Sequence, residues 1–220
     1  NQALTSAGYK NLSEYRQRMI KQIQYANFLL DYIDDHFDDV FNDYYQQCAP
    51  KYVSLIKISV SDTSSPTDDE TSKLNEVKEL ISNTDKSFGD IAQDYSDDST
   101  SSKKGSLGIV DSKDTSGIAN SYGKDVFNAI KALSEGQVSD VITGDDGYYF
   151  VKVTSTDKKT LKKELKKTDI DSPLLAYDDY LQYVVYNSYK INYKDKDIKK
   201  IVQEVVNKAL EERKTERGEA

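Results

Sequence analysis

The sequence predicts an α+β chain in which a small mixed unit, ordered β-α-α-β-α-β-β, is inserted in a mostly helical domain built from both chain ends. Three observations lead there. Strand-like alternation and turn signals rich in Gly and Asp occur only between residues 53 and 155. The stretches on either side carry apolar residues at helical spacing and no strand pattern. Neither flank can bury its stripe alone, so residues 1–52 and 156–220 are expected to pack as one helical domain around the insert 53–155.

In order, NLSEYRQRMIKQIQYANFLLDYI opens with Asn11 and Glu14 at capping-box spacing. Leu12, Tyr15, Met19, Ile23, Ala26, Leu30 and Ile33 then repeat at three and four, one stripe of a helix. A short helix, DDVFNDYYQQ, ends before Pro50. YVSLIKISV, residues 52–60, is the first strand: Ser54, Ile56, Ile58 and Val60 share one face, and Val53, Leu55, Lys57 and Ser59 the other. The first face reads as core; the second carries a long cation in a β-branched run. SDTSSPTDDETS reads as a mobile loop. Helices over KLNEVKELI and SFGDIAQDYS follow, the second opened by a Ser87–Asp90 capping box. Phe88, Ile91 and Tyr95 of that helix read as core. GSLGIV is a glycine-flanked strand, a helix lies around residues 121–133, and GDDG turns the chain into YYFVKVTS, a hairpin by its Asp-Gly signal. DKKTLKKELKK is mostly a solvated face. The tail adds two amphipathic helices, one with Leu181, Val184 and Val185, the other with Ile198, Ile201, Val202, Val205, Ala209 and Leu210.

Charge and rare residues exclude several functions. Residues 53–155 hold 18 Asp/Glu against 10 Lys/Arg, while the flanks are nearly balanced, so nucleic acid, which needs clustered cations, is not an expected partner. Cys48 and His36 are the only residues of their kinds, which removes intrachain disulfides, Cys/His metal clusters and a Ser-His triad. His36 sits among acids at a helix end and reads as solvated. No cofactor or metal is expected. No apolar run approaches the ~18 residues of a membrane span. The glycines flanking Leu107 read as a tight backbone path, because no Lys-Ser/Thr pair follows to hold phosphate.

Several motifs carry a resemblance. SFGDIAQDYSDD, KKGSLGIV and LSEGQVSDVITGDDGYYFVKVT, in this order and spacing over about 100 residues, resemble a parvulin-type peptidyl-prolyl isomerase domain. ALTSAGYKNLSEYRQRMIKQI with DVFNDYYQQ before it, and YKINYKDKDIKKIV after it, resemble the PrsA-type foldases, extracellular lipoproteins of Gram-positive bacteria that assist protein export. The resemblance implies a foldase and chaperone at the outer face of the cell membrane. Its partners would be unfolded or partly folded exported proteins and their X-Pro segments. It also implies that the signal sequence, lipidated cysteine and first helices lie outside this sequence.

The resemblance assigns site positions too. Lys57 falls where the family has a histidine in its first strand, and Tyr149 where the second histidine follows the glycine-tyrosine of the last. Asp98 matches the family's cysteine or aspartate, and Thr143 its hairpin threonine. Tyr122 and Val126, or Phe127 in the second place, match the seat of the proline ring. X-Pro rotation has a barrier of about 20 kcal/mol and needs no nucleophile or metal; it needs an apolar seat and hydrogen bonds that favour the twisted amide. Neutral imidazoles offer one donor and one acceptor each; Lys57 offers donors only, and Tyr149 a more distant hydroxyl. The expectation is a chaperone whose isomerase activity is weak or absent. An active isomerase using Lys57 and Tyr149, and a scaffolding lipoprotein binding one folded partner, are the alternatives. Each site residue also has a plain reading: Lys57 on an exposed strand face with its stem over Leu55, Tyr149 in cross-strand packing, Asp98 as a solvated charge, Thr143 as a strand end. Of the 17 tyrosines 13 lie outside 53–155, adaptable contacts for clients or helix-to-helix packing.

Overall fold

In the computed structural model, residues 2–166, 172–177, 179–188 and 190–216 are described. The chain divides into two compact units, one of residues 1–47 and 168–220, the other of residues 48–167. The first begins with α1 (Gln2–Ser6), α2 (Leu12–Asp35) and α3 (Phe37–Cys48). The second runs through β1 (Lys51–Ser59), α4 (Asp68–Asn83), α5 (Phe88–Tyr95), β2 (Ser106–Val110), α6 (Ile118–Tyr122), α7 (Lys124–Ala132), β3 (Ile142–Thr143), β4 (Gly147–Ser155) and α8 (Lys158–Leu165). The chain then returns to the first with α9 (Asp179–Ser188) and α10 (Lys196–Glu216).

The sheet is antiparallel, in the order β2-β1-β4-β3. Alternation along β1 divides its side chains as read from the sequence, but both faces are covered. Ile56, Ile58 and Phe150 pack under α4 and α5 against Leu74, Val77, Phe88, Ile91 and Ala92. Val53, Leu55, Tyr149 and Val151 pack with Val110 of β2 under Ile118 of α6 and Val126 and Ile130 of α7. The face that carries Lys57 is therefore not a solvated one. Gly105 allows β2 to approach: its φ is +74°, and a Cβ there would lie 2.4 Å from the Leu55 carbonyl oxygen. At the other end of β1, Lys51 Nζ donates to the carbonyls of Ile130, Lys131 and Leu133 at 3.0, 2.8 and 2.6 Å, satisfying the open C-terminus of α7.

Two local expectations change. The Ser/Thr/Asp stretch is loop only to residue 66; Thr67 and Glu70 form a capping box, and α4 starts there. The helix expected around 121–133 is two, interrupted at Gly123, whose φ of +97° no other residue adopts without strain. The lysine-rich stretch after β4 keeps its mostly solvated face as α8 and buries Leu161 and Leu165 beneath it.

In the helical unit the core lies around α3. Leu29 and Ile33 from α2, with Val40, Phe41 and Tyr44 from α3, are buried with Leu174 and Tyr177. Asp43 is buried among them; its carboxylate accepts from Tyr177 Oη at 2.5 Å and from the Arg213 guanidinium, which lies 4.6 Å from the Tyr183 ring centre. These ties join the head of the chain to its tail. The predicted stripes are buried only in part. Leu12 and Ile23 of α2 are exposed, as are Ile198, Ile201 and Val205 of α10, because no described residue packs over them. His36 ends α2 as its exposed C-cap, as read.

Candidate functional site

The β1–β4 register sets Lys57 opposite Tyr149, and the β3–β4 register sets Ile142 beside Tyr149, all on the face covered by α6 and α7. The turn from β3 to β4 then carries Asp146 back over this pair. One Asp146 oxygen accepts from Lys57 Nζ and the other from the Tyr149 hydroxyl. The Lys57 side chain is 18% exposed, and its ammonium lies 5.6 Å from the Tyr149 ring centre. Gly144, in the same turn, lies flat against that ring; a Cβ there would sit 2.7 Å from Tyr149 Cε2.

Asp98 joins from the other side. It caps the short 3₁₀ turn Ser99–Lys103, its Oδ1 accepting from the amide and hydroxyl of Thr100 at 2.9 and 2.6 Å. The Tyr122 hydroxyl reaches the same oxygen at 3.5 Å, and its ring meets Tyr149 edge-on at 6.2 Å between centres. The backbone of Lys57 ties the strand to this loop, its amide donating to Ser96 Oγ at 3.0 Å and its carbonyl accepting from the Asp97 amide at 2.8 Å.

The structure thus brings Lys57, Tyr149, Tyr122 and Asp98 into one chain of contacts. It does not bring Thr143 there: Thr143 pairs with Tyr148, so it stands on the opposite face of the hairpin and is exposed. Val126 is core beneath the site, 1% exposed, whereas Phe127 is half-buried with Lys131 Nζ 5.5 Å from its ring centre. Sequence reasoning does not single out Asp146: GDDG reads as a turn, yet an aspartate three residues before Tyr149 on a tight hairpin is the available signal.

The electrostatics follow from this geometry. The Lys57 hydrogen bond, then that of Tyr149, holds the Asp146 carboxyl below the ordinary carboxylate range. Burial, then the bond to Asp146, pushes the Tyr149 phenol well up, and burial with Asp98 raises Tyr122. Both phenols stay protonated as donors at neutral pH. The Lys57 charge is matched by Asp146, and the Tyr149 proton is committed to the same carboxylate. Among the described residues no group of three or more His, Cys, Asp or Glu is placed to hold a metal ion.

The family profile of the PPIC-type PPIase domain, or rotamase, matches residues 55–155. This stretch is similar to PPIC-type peptidyl-prolyl isomerase domains. Part of the chain is also similar to PrsA foldases. The Foldase protein PrsA of Staphylococcus aureus and that of Staphylococcus epidermidis are each 32% identical over 141 residues, 61% of this chain and 41% of theirs. The chain therefore spans less than half the length of these curated relatives. The crystal structure of PrsA from Bacillus subtilis aligns over 83% of this chain and 68% of that one, with 20% identity and a TM-score of 0.41.

Proposed function

We propose that the protein is an extracytoplasmic foldase that holds unfolded segments of exported proteins, and that its PPIase domain binds X-Pro segments while isomerising them weakly or not at all. The observation that carries this reading is the double engagement of Asp146. The two positions where the family has histidines hold an ammonium and a phenol, and both donors are spent on one internal carboxylate. A twisting amide needs donors aimed at it and free to shift; here each shift toward substrate breaks a charge-assisted bond. The holding role is supported by apolar side chains left open on the helical unit: Ile20, Ile23 and Phe28 of α2 are each more than half exposed, as are Ile198, Ile201 and Val205 of α10. By its likeness to PrsA the protein works at the outer face of a membrane, anchored by a lipid outside this sequence; no described helix is long and apolar enough to cross one.

An active isomerase is the second reading, favoured by the continuous Lys57–Asp146–Tyr149–Tyr122–Asp98 chain, which sets donors along one edge of an apolar seat. Cis-to-trans rates of a short X-Pro peptide separate the two. The wild type is expected within about twofold of the uncatalysed rate and the Lys57→His/Tyr149→His variant at least about tenfold above it. A wild type that accelerates the reaction and loses the effect on Asp98→Ala would establish the enzyme instead.

A further inference from the structure

On the other face of the sheet from Lys57, a cleft of ≈ 350 Å³ opens between the starts of β1 and α5, the residues just before β2, and the end of β4. Its lining is unlike the rest of the unit. Residues 53–155 carry 18 acids and 10 bases, yet three of those bases, Lys103, Lys104 and Lys152, converge on this cleft and no carboxylate lines it. Lys104 is matched from outside by Asp90 at 2.7 Å. Lys103 and Lys152 make no ion pair among the described residues, so the cleft keeps an uncompensated positive charge.

Hydroxyls complete the lining. Ser106 Oγ donates to Tyr52 Oη at 2.9 Å, which leaves the phenol proton of Tyr52 without a described acceptor. Ser54 and Thr154 stand 3.5 Å apart, oxygen to oxygen, where β1 and β4 bound the cleft. Half-buried Tyr52 adds apolar surface to the lining. Lysines are point charges without the planar fork that matches a carboxylate, and several of them with hydroxyl donors suit a tetrahedral anion.

We propose that this cleft is a binding site for a phosphoryl group, a phosphomonoester whose carrier rests against Tyr52. The site is separate from the isomerase positions and does not depend on their activity. Inorganic phosphate, glycerol phosphate and a phosphoserine peptide, titrated into the ¹⁵N-labelled full chain at constant ionic strength, are the probes. Saturable shifts confined to the amides of residues 52–54, 87–89, 103–106 and 152–154 are expected, weakened about tenfold or more by Lys103→Gln/Lys152→Gln. Thr154→Glu, which places a carboxylate at an exposed position of the lining, is expected to abolish them. Tighter binding of glycerol phosphate or of the peptide tells a small free ester from a phosphorylated side chain. Acetate that matches phosphate, shifts that never saturate, or a double variant that binds like the wild type while its circular dichroism is unchanged would each overturn the proposal.

Discussion

Asp43 is the residue whose removal the helical unit should tolerate least. It is 4% exposed, with Tyr177 on one oxygen and Arg213, itself 11% exposed, on the other. Asp43→Ala leaves a guanidinium buried without its counter-ion and a phenol without its acceptor. Breaking a buried pair from one side typically costs about 3–5 kcal/mol, most of it the penalty on the abandoned charge. Removing both charges avoids that penalty, so Asp43→Ala/Arg213→Met should recover most of the loss. Asp43→Asn, which keeps an acceptor for Tyr177, should fall between. Urea unfolding followed by far-ultraviolet circular dichroism reads the helical unit, and the chain has no tryptophan to compete with tyrosine fluorescence as a second probe. A single variant that costs under about 1 kcal/mol, the range of an exposed pair, would refute the reasoning. So would a double variant less stable than either single one, because the cost would then lie in packing and not in the stranded charge.

Gly105→Ala should destabilise the sheet unit by about 3 kcal/mol or more, since it combines a left-handed backbone with a Cβ driven into the Leu55 carbonyl and the Ala92 methyl. Gly117→Ala, with similar φ and open space around it, should cost only about 1–2 kcal/mol, and equal urea midpoints for the two would argue against the close contact. Stability should also depend on pH through the Asp146–Tyr149 pair. The depressed Asp146 contributes above the unfolded aspartate value of about 3.9 and loses that contribution as pH falls through its lower folded value, so wild type and Asp146→Asn should converge in strong acid. The raised Tyr149 contributes fully below about pH 10 and loses it above, with a slope near 1.4 kcal/mol per pH unit that Tyr149→Phe should remove; identical alkaline slopes would contradict the burial of its proton.

The features legible in the sequence were those fixed within a few residues. Alternation along β1, the Ser87 cap of α5 and the tight path at Gly105 all arise from local pattern and sterics. The capping box at Thr67 was equally local and was masked by the polar run around it. What stayed out of reach depends on distant partners. Whether the second face of β1 is solvated is decided by α6 and α7, more than 60 residues on, and Lys51 finds its acceptors about 80 residues away. The site was half legible: resemblance supplied Lys57, Tyr149 and Asp98, but only the hairpin register turns Thr143 away and only the folded turn brings Asp146 in. Helical spacing in α2 and α10 marked apolar stripes without saying which part would be covered.

The central strands of the sheet are also its first and last. β1 pairs with β4, Tyr52 opposite Ser155, so the two ends of the domain leave the sheet side by side. A unit with adjacent ends can be set into another domain's chain at the cost of one short gap, and by the same token those ends could be fused and new ones opened in the exposed loop of residues 61–66 to give a working circular permutant. The same topology delays folding. A chain synthesised from its N-terminus cannot form its central strand pair until residue 155 has emerged, and the Asp43 cluster waits further, for Arg213. Contacts of such sequence separation make for slow folding, and they leave this protein itself open for most of its own synthesis.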